Sequence, residues 1–119
     1  MLYSADLEGC LEMSTLPSEQ VASAFVDALK RAGATVVQTM SHNFPGAGLT
    51  CVLILAESHA VLHTWPETGT VNIDIFSCST RLKSLAAIAE LGRTFGAATV
   101  TTQEIPRVDG HVEPPIRRN

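Results

Sequence analysis

The sequence predicts an α+β domain, a two-layer sandwich in which a mostly antiparallel sheet carries two helices on one face. The length of 119 residues suits one hydrophobic core. A composition of 45% hydrophobic and 17% charged residues is typical of globular proteins. Two segments of helical periodicity stand among aliphatic and β-branched runs, giving the order β-α-β-β-β-β-α-β. Successive strands joined by short turns favour antiparallel pairing.

The helices have clear boundaries in the sequence. Pro17 and Ser18 open the first, and Gly33 ends it after two basic residues. Its apolar residues recur at helical spacing, at Val21, Phe25, Ala28 and Leu29. The second helix is the Ala/Leu-rich segment 81–95.

The strands are predicted from β-branched runs and from alternation. In the run 70–76, apolar side chains alternate strictly with Asn72, Asp74 and Phe76. The predicted strands are residues 1–8, 34–40, 49–56, 59–65, 70–76 and 97–105, with a loop at 42–48 and a turn at 66–69. Residues 1–105 are predicted to form a single domain, and residues 106–119, with Pro114 and Pro115, a loose C-terminal tail.

Charge and cysteine content exclude several classes of protein. The net charge of −4 and the pI of about 5.4 argue against nucleic acid as a partner. The longest apolar run is too short to span a bilayer, and no signal-peptide pattern opens the chain. The three cysteines cannot all pair, and their spacing matches no zinc site. We therefore expect a soluble, cytoplasmic protein without a metal.

One short segment concentrates the reactive side chains. In "AESHAVLHTWPETG" (56–69), a buried strand runs into Glu57, Ser58 and His59, followed by His63, Trp65 and Glu67. Each residue alone has an ordinary structural role, since serine favours turns and a lone tryptophan beside proline usually packs. No G-x-S-x-G motif accompanies Ser58.

As a whole, "GLTCVLILAESHAVLHTWPETGTVNIDIFSC" (48–78) resembles the core of the bacterial and archaeal S-adenosylmethionine decarboxylase proenzymes, a pyruvoyl-dependent family. In that family a hydrophobic strand runs into Glu-Ser-His, then His-Thr-Trp-Pro-Glu, then a strand ending in Asp-x-Phe-x-Cys. The resemblance extends to "ADLEGC" (5–10), "RAGATVV" (31–37) and "FPGAGLT" (44–50), and it covers residues 1–105.

The resemblance implies that the chain cleaves itself between Glu57 and Ser58 and that Ser58 becomes a covalent pyruvoyl group. A pyruvoyl carbonyl can form a Schiff base with the substrate's amine and accept the electrons released with CO₂, which no side chain can do. Pyridoxal phosphate and metal would then be unnecessary. Decarboxylation of S-adenosylmethionine would give the aminopropyl donor for spermidine synthesis.

The resemblance also assigns roles to individual residues. His63 corresponds to the base of self-processing, Thr50 to a hydroxyl that assists the acyl shift, and Cys78 to the general acid of decarboxylation. Phe44 corresponds to an aromatic that stacks on adenine, and Glu67 to a carboxylate that binds the ribose hydroxyls. We assign Cys10, Cys51 and Trp65 to packing.

Strand geometry predicts that the site is shared between two subunits. Ser58 and His63 are an odd number of residues apart, so a strand directs their side chains to opposite faces. Thr50 has the right parity but lies eight residues away, roughly 26 Å along an extended chain. The sheet face opposite the helices also needs a cover. A homodimer with shared active sites satisfies these requirements, and the resemblance implies the same.

The sequence departs from the family's pattern around the substrate pocket. Thr68 and Thr70 replace two aromatic residues, the loop "FPGAG" (44–48) replaces Phe-Ser-Pro-x-Gly, and Ser79 replaces a glycine. These differences leave two alternatives open. One is a relative of the same mechanism that acts on arginine or ornithine, and the other is a non-catalytic regulatory partner of an active decarboxylase.

Overall fold

Six strands and two helices, counted over the residues that the structure describes, follow one another in the predicted order. The computed structural model describes residues 1–11, 13, 15–46, 48–79 and 81–108. The elements are β1 (Leu2–Glu8), α1 (Ser18–Arg31), β2 (Val36–Asn43), β3 (Leu49–Leu55), β4 (Ser58–Trp65), β5 (Thr70–Phe76), α2 (Ser84–Thr94) and β6 (Thr99–Ile105).

The strands form one sheet in the order β2-β3-β4-β5-β1-β6, and all the paired strands are antiparallel. Strands β2 to β5 are consecutive neighbours because short turns join them. β1 lies between β5 and β6, so the two ends of the described chain pair with each other. The predicted α+β class is confirmed.

Alternate strand residues build the core on the helical face of the sheet. In β3, Leu49, Cys51, Leu53 and Leu55 are buried, whereas the residues between them are only half-buried. The two largest fully buried side chains, Phe25 of α1 and Phe95 after α2, belong to the same cluster. Burying one such side chain stabilises the fold by about 1.5–3 kcal/mol. Both helices therefore cover one face, as predicted.

No element among the described residues packs across the centre of the other face of the sheet, and we call it the open face. The register aligns one row of its side chains across four strands: His42, Thr50, His63 and Asn72. Asp6 of β1 continues that row. Among the described residues, no helix is long and apolar enough to cross a membrane.

The two largest differences from the predicted boundaries are of three residues each. β2 continues to Asn43, because the pairing of His42 with Thr50 and of Asn43 with Leu49 extends into the predicted loop. α2 begins at Ser84 and not at residue 81, because the Arg81 backbone N–H donates to Ser79 Oγ in a preceding turn. Of the predicted tail, residues 106–108 follow β6 without regular structure, and residues 109–119 lie outside the described residues.

Candidate active site

The predicted cleavage point lies in the tight turn of the β3–β4 hairpin. Leu55 pairs with Ser58, so Ala56 and Glu57 are the only residues of the turn. Glu57 has φ 63°, and it is the only non-glycine residue with positive φ among those described. This left-handed conformation suits the third position of a type II turn, where glycine is preferred. A glutamate there stores about 1–3 kcal/mol of backbone strain directly before the Glu57–Ser58 bond.

Ser58 opens onto a cavity of about 350 Å³ that Cys78 also lines. The Ser58 hydroxyl donates to the Ala56 carbonyl oxygen at 3.4 Å, a long hydrogen bond within the turn. Cys78 follows the end of β5, where Phe76 pairs with His59, the neighbour of Ser58. The register of β4 and β5 thus brings the predicted pyruvoyl precursor and the predicted general acid to one end of the sheet. Cys78 is exposed, so it does not serve to fill the core.

Two further segments of this cavity were not predicted from the sequence. One is the turn 33–35 after α1, whose Thr35 carbonyl accepts a hydrogen bond from the Ala56 N–H at 3.0 Å. The other is Arg81, whose carbonyl oxygen lies so close to Gly33 (φ 106°) that a Cβ there would clash with it. Arg81 could have been predicted to line the cavity, because it is only three residues from Cys78 in the sequence. The sequence gives no such indication for turn 33–35, which only the tertiary fold brings to the cavity.

A second group of predicted residues gathers at the opposite end of β4. Thr50 and His63 are directly paired across β3 and β4, and Thr50 Oγ1 lies 2.5 Å from His63 Nδ1. Phe44, His63 and Glu67 line a shared concavity of about 270 Å³. Phe44 is 42% exposed there, so its ring is accessible to a ligand.

Aromatic rings flank His63. The Trp65 ring centroid lies 4.5 Å from that of His63, and the Phe44 centroid lies 5.8 Å from it. Trp65, expected to be a packing residue, is 44% exposed and lines the same concavity. Its position is set by strand alternation, which places His63 and Trp65 on the open face.

A buried threonine joins the two strands that carry Thr50 and His63. Thr64 is 2% exposed, and its hydroxyl accepts a hydrogen bond from the Leu49 backbone N–H at 3.0 Å. This bond fixes the first residue of β3 to β4 immediately beside the Thr50–His63 pair. In the sequence, only the position of Thr64 between His63 and Trp65 could have indicated this role.

The two groups are far apart within one chain. Ser58 and His63 stand at opposite ends of β4 and on opposite faces, separated by about 17 Å of strand. The prediction that Thr50 has the parity of Ser58 is wrong, because the chain reverses at Ala56–Glu57. Thr50 pairs with His63 on the open face, whereas Ser58 pairs with Leu55 on the helical face. The hairpin also shortens the separation of Thr50 from Ser58 to about 17 Å of strand.

The two buried cysteines and the two threonines that replace aromatic residues have structural roles. Cys10 and Cys51 are buried, and burial raises the pKa of both thiols. Thr68 and Thr70, the replacements for two aromatic residues, hydrogen bond to each other at 3.0 Å. Within the described part of the chain, no three acidic, histidine or cysteine side chains are grouped to hold a metal ion.

Comparisons with known proteins show the family to which the chain belongs. The family model for S-adenosylmethionine decarboxylase matches residues 1–108. A relative from Clostridium tetani, an S-adenosylmethionine decarboxylase proenzyme, is 33% identical over 112 residues, which are 94% of this chain and 87% of that protein. A proenzyme of the same name from Moorella thermoacetica is 35% identical over 111 residues, 93% of this chain and 87% of the relative. The crystal structure of the adenosylmethionine decarboxylase from Aquifex aeolicus superposes with a TM-score of 0.77 at 25% identity, covering 95% of both chains.

Proposed function

The chain belongs to the S-adenosylmethionine decarboxylase family, and from this premise we propose that it is a self-cleaving, pyruvoyl-dependent decarboxylase of S-adenosylmethionine. The observation that carries the proposal is the position of Ser58. It follows a strained residue in a tight turn and shares a cavity with the exposed thiol of Cys78. A serine that must become a terminal reactive group needs such an exposed turn, with a proton donor close by.

Self-cleavage begins at the turn. The Ser58 hydroxyl attacks the Glu57 carbonyl carbon, and the C–N bond breaks to leave an ester and a free amine. His63 of the partner subunit, held by the partner's Thr50, takes the proton from the Ser58 Cα, and the Glu57 carboxylate leaves. Water then hydrolyses the resulting dehydroalanine with release of ammonia, which leaves the pyruvoyl group at position 58. The products are residues 1–57 and residues 58–119.

The same residues suit the decarboxylation that follows. The pyruvoyl group supplies an electron sink for the carbanion that forms as CO₂ leaves. Cys78 lines the Ser58 cavity and supplies the proton that replaces the carboxylate. Phe44 and Glu67 share the second concavity, where a ring and a carboxylate suit the adenine and the ribose hydroxyls.

The separation of the two groups supports a homodimer with two shared sites. Each chain has Ser58 and Cys78 at one end of the sheet, and His63 and Glu67 toward the other end. Two open faces packed about a two-fold axis near the middle of β4 would bring the main chain at one chain's Ser58, whose side chain lies on the helical face, over the partner's His63 end. The same packing would bury the half-exposed apolar side chains of the open face.

The test of self-cleavage is the intact mass of the purified protein. The wild type should give two fragments, cut between Glu57 and Ser58, and the second should lack a free amino group. Ser58→Ala should give one uncleaved chain because no hydroxyl remains to attack. A wild-type protein that is fully active as an uncleaved chain would overturn the mechanism.

The substrate is tested by CO₂ release from S-adenosylmethionine, arginine and ornithine under the same conditions. We expect release from S-adenosylmethionine at a kcat/KM at least about 100-fold above that for the other two, a difference of about 2.7 kcal/mol. A preference for arginine or ornithine would transfer the mechanism to another substrate. Cleavage without release from any of the three would contradict the proposed activity.

A further inference from the structure

A chain of hydrogen bonds crosses three strands beside His63. The Trp65 Nε1–H donates to Asn72 Oδ1 at 2.7 Å, and the Asn72 Nδ2–H donates to Asp6 Oδ1 at 2.7 Å. The three residues lie on β4, β5 and β1, and the register pairs Asn72 directly with both His63 and Asp6. These hydrogen bonds therefore lead away from His63 along the open face, from Trp65 through Asn72 to Asp6.

The chemistry of the three groups fixes the direction of these bonds. An indole N–H can only donate, and a carboxylate can only accept. The Asn72 amide must therefore turn its oxygen to Trp65 and its nitrogen to Asp6. Asp6 thus sets the orientation of Asn72, and Asn72 sets the position of the Trp65 indole.

The indole in turn contacts the imidazole of His63. Their ring centroids are 4.5 Å apart, with an angle of 54° between the planes. Thr50 Oγ1 engages Nδ1 of the same ring, and Phe44 approaches it as well. Among the contacts of the described residues, none engages Nε2, which can take a proton when Nδ1 carries the ring hydrogen and donates it to Thr50 Oγ1.

We propose that Asn72, oriented by Asp6, is a positioning residue for His63. It holds the Trp65 indole against the imidazole and so sets the direction in which Nε2 points. This inference rests on the proposed function, because it assigns the orientation to the proton transfer of self-cleavage. A network that only stabilised the sheet would affect folding without affecting the histidine ring.

The orientation is tested first in the uncleavable Ser58→Ala protein. The Cε1–H resonance of His63 is identified by its loss in His63→Gln, since the chain has 4 histidines. Asn72→Ala should move this resonance because the indole leaves its present place over the ring. Asp6→Asn should leave it near its original position, because an amide oxygen can still accept from Asn72. Ser4→Ala, two residues from Asp6 on the same face, is the matched control.

The rate is tested in the chain that retains Ser58. Asn72→Ala should slow self-cleavage by at least about tenfold, since a displacement of about 1 Å at a reacting group can cost about 100-fold. Ser4→Ala should cleave at the wild-type rate.

Two results would overturn the inference. One is an Asn72→Ala protein with an unchanged His63 resonance. The other is slower cleavage that Ser4→Ala shows equally, together with a matching loss of thermal stability. If the wild type is never cleaved, the proposed function fails, and the His63 resonance in Ser58→Ala still decides whether Asn72 positions the ring.

Discussion

At the scale of single residues, the left-handed backbone conformation of Glu57 occurs directly before the Glu57–Ser58 bond, which the proposed reaction breaks. Left-handed conformations are disfavoured for residues with a Cβ, and glycine adopts them without that cost. The turn position of Glu57 (φ 63°) is one that glycine would fill without strain. A strained residue at this point is explained by function better than by folding.

The strain predicts an unusual response to glycine. In the Ser58→Ala background, Glu57→Gly should relieve about 1–3 kcal/mol of strain, against about 0.4–1 kcal/mol lost to the freer unfolded chain. We therefore expect an unchanged or increased free energy of unfolding in urea. Ala56→Gly, one residue earlier and without positive φ, should lose about 0.5–1 kcal/mol. Equal losses in the two variants would show that Glu57 is not strained.

The exposed thiol of Cys78 predicts a selective loss of turnover. Cys78→Ala should cleave normally and then show a kcat lower by about 10²–10⁴-fold, with progressive inactivation, because the proton donor is missing. The matched control is Cys51→Ala, which removes a buried thiol and should reduce stability but not kcat per folded site. Wild-type turnover by Cys78→Ala in a CO₂ assay would remove the general-acid role.

At the scale of elements, a charged pair joins the two helices. Arg31 Nε in the last turn of α1 donates to Glu90 Oε2 of α2 at 2.9 Å. This hydrogen bond lowers the pKa of Glu90, and the same bond raises the pKa of Arg31. Both side chains remain partly exposed, so solvent weakens the pair.

The direction of these shifts fixes the pH dependence. Because the pKa of Glu90 is lowered on folding, the pair stabilises the protein at neutral pH, and that contribution is lost as the pH falls below about 4. The raised pKa of Arg31 matters only in strong alkali. Thermal midpoints of Glu90→Gln should therefore lie slightly below those of the wild type at neutral pH and converge with them in acid. Parallel curves across this range would show that the pair contributes nothing.

At the scale of the whole molecule, the arrangement of Ser58 and His63 predicts complementation between chains. Ser58→Ala and His63→Ala proteins should each remain uncleaved alone. When they are co-expressed, a mixed dimer contains one site with an intact Ser58 and an intact His63. Only the His63→Ala chain, which retains Ser58, should then be cleaved. Mass spectrometry of the mixture measures this.

Three results would contradict the shared site or the role of Ser58. If mixed dimers form, as shown by tags of different size, and the His63→Ala chain stays intact, then the two residues act within one chain. Cleavage of the Ser58→Ala chain would contradict the role of the hydroxyl itself. A protein that is a monomer at all accessible concentrations would remove the shared site altogether.

The sequence by itself determined the element order and the two helical faces, because periodicity is a local property of the chain. Its motif was also sufficient to name Ser58, His63 and Cys78 as candidates. Only the tertiary structure decided that β1 pairs with β5 and β6, since pairings between distant segments leave no local pattern. Only the tertiary structure likewise brought together the hydrogen-bonded side chains of Asp6, Asn72 and Trp65, which lie on three different strands. The left-handed conformation of Glu57 and the face on which Thr50 lies depend on where the β3–β4 hairpin reverses. The pairing of the two strands fixes that point, and local residue preferences do not.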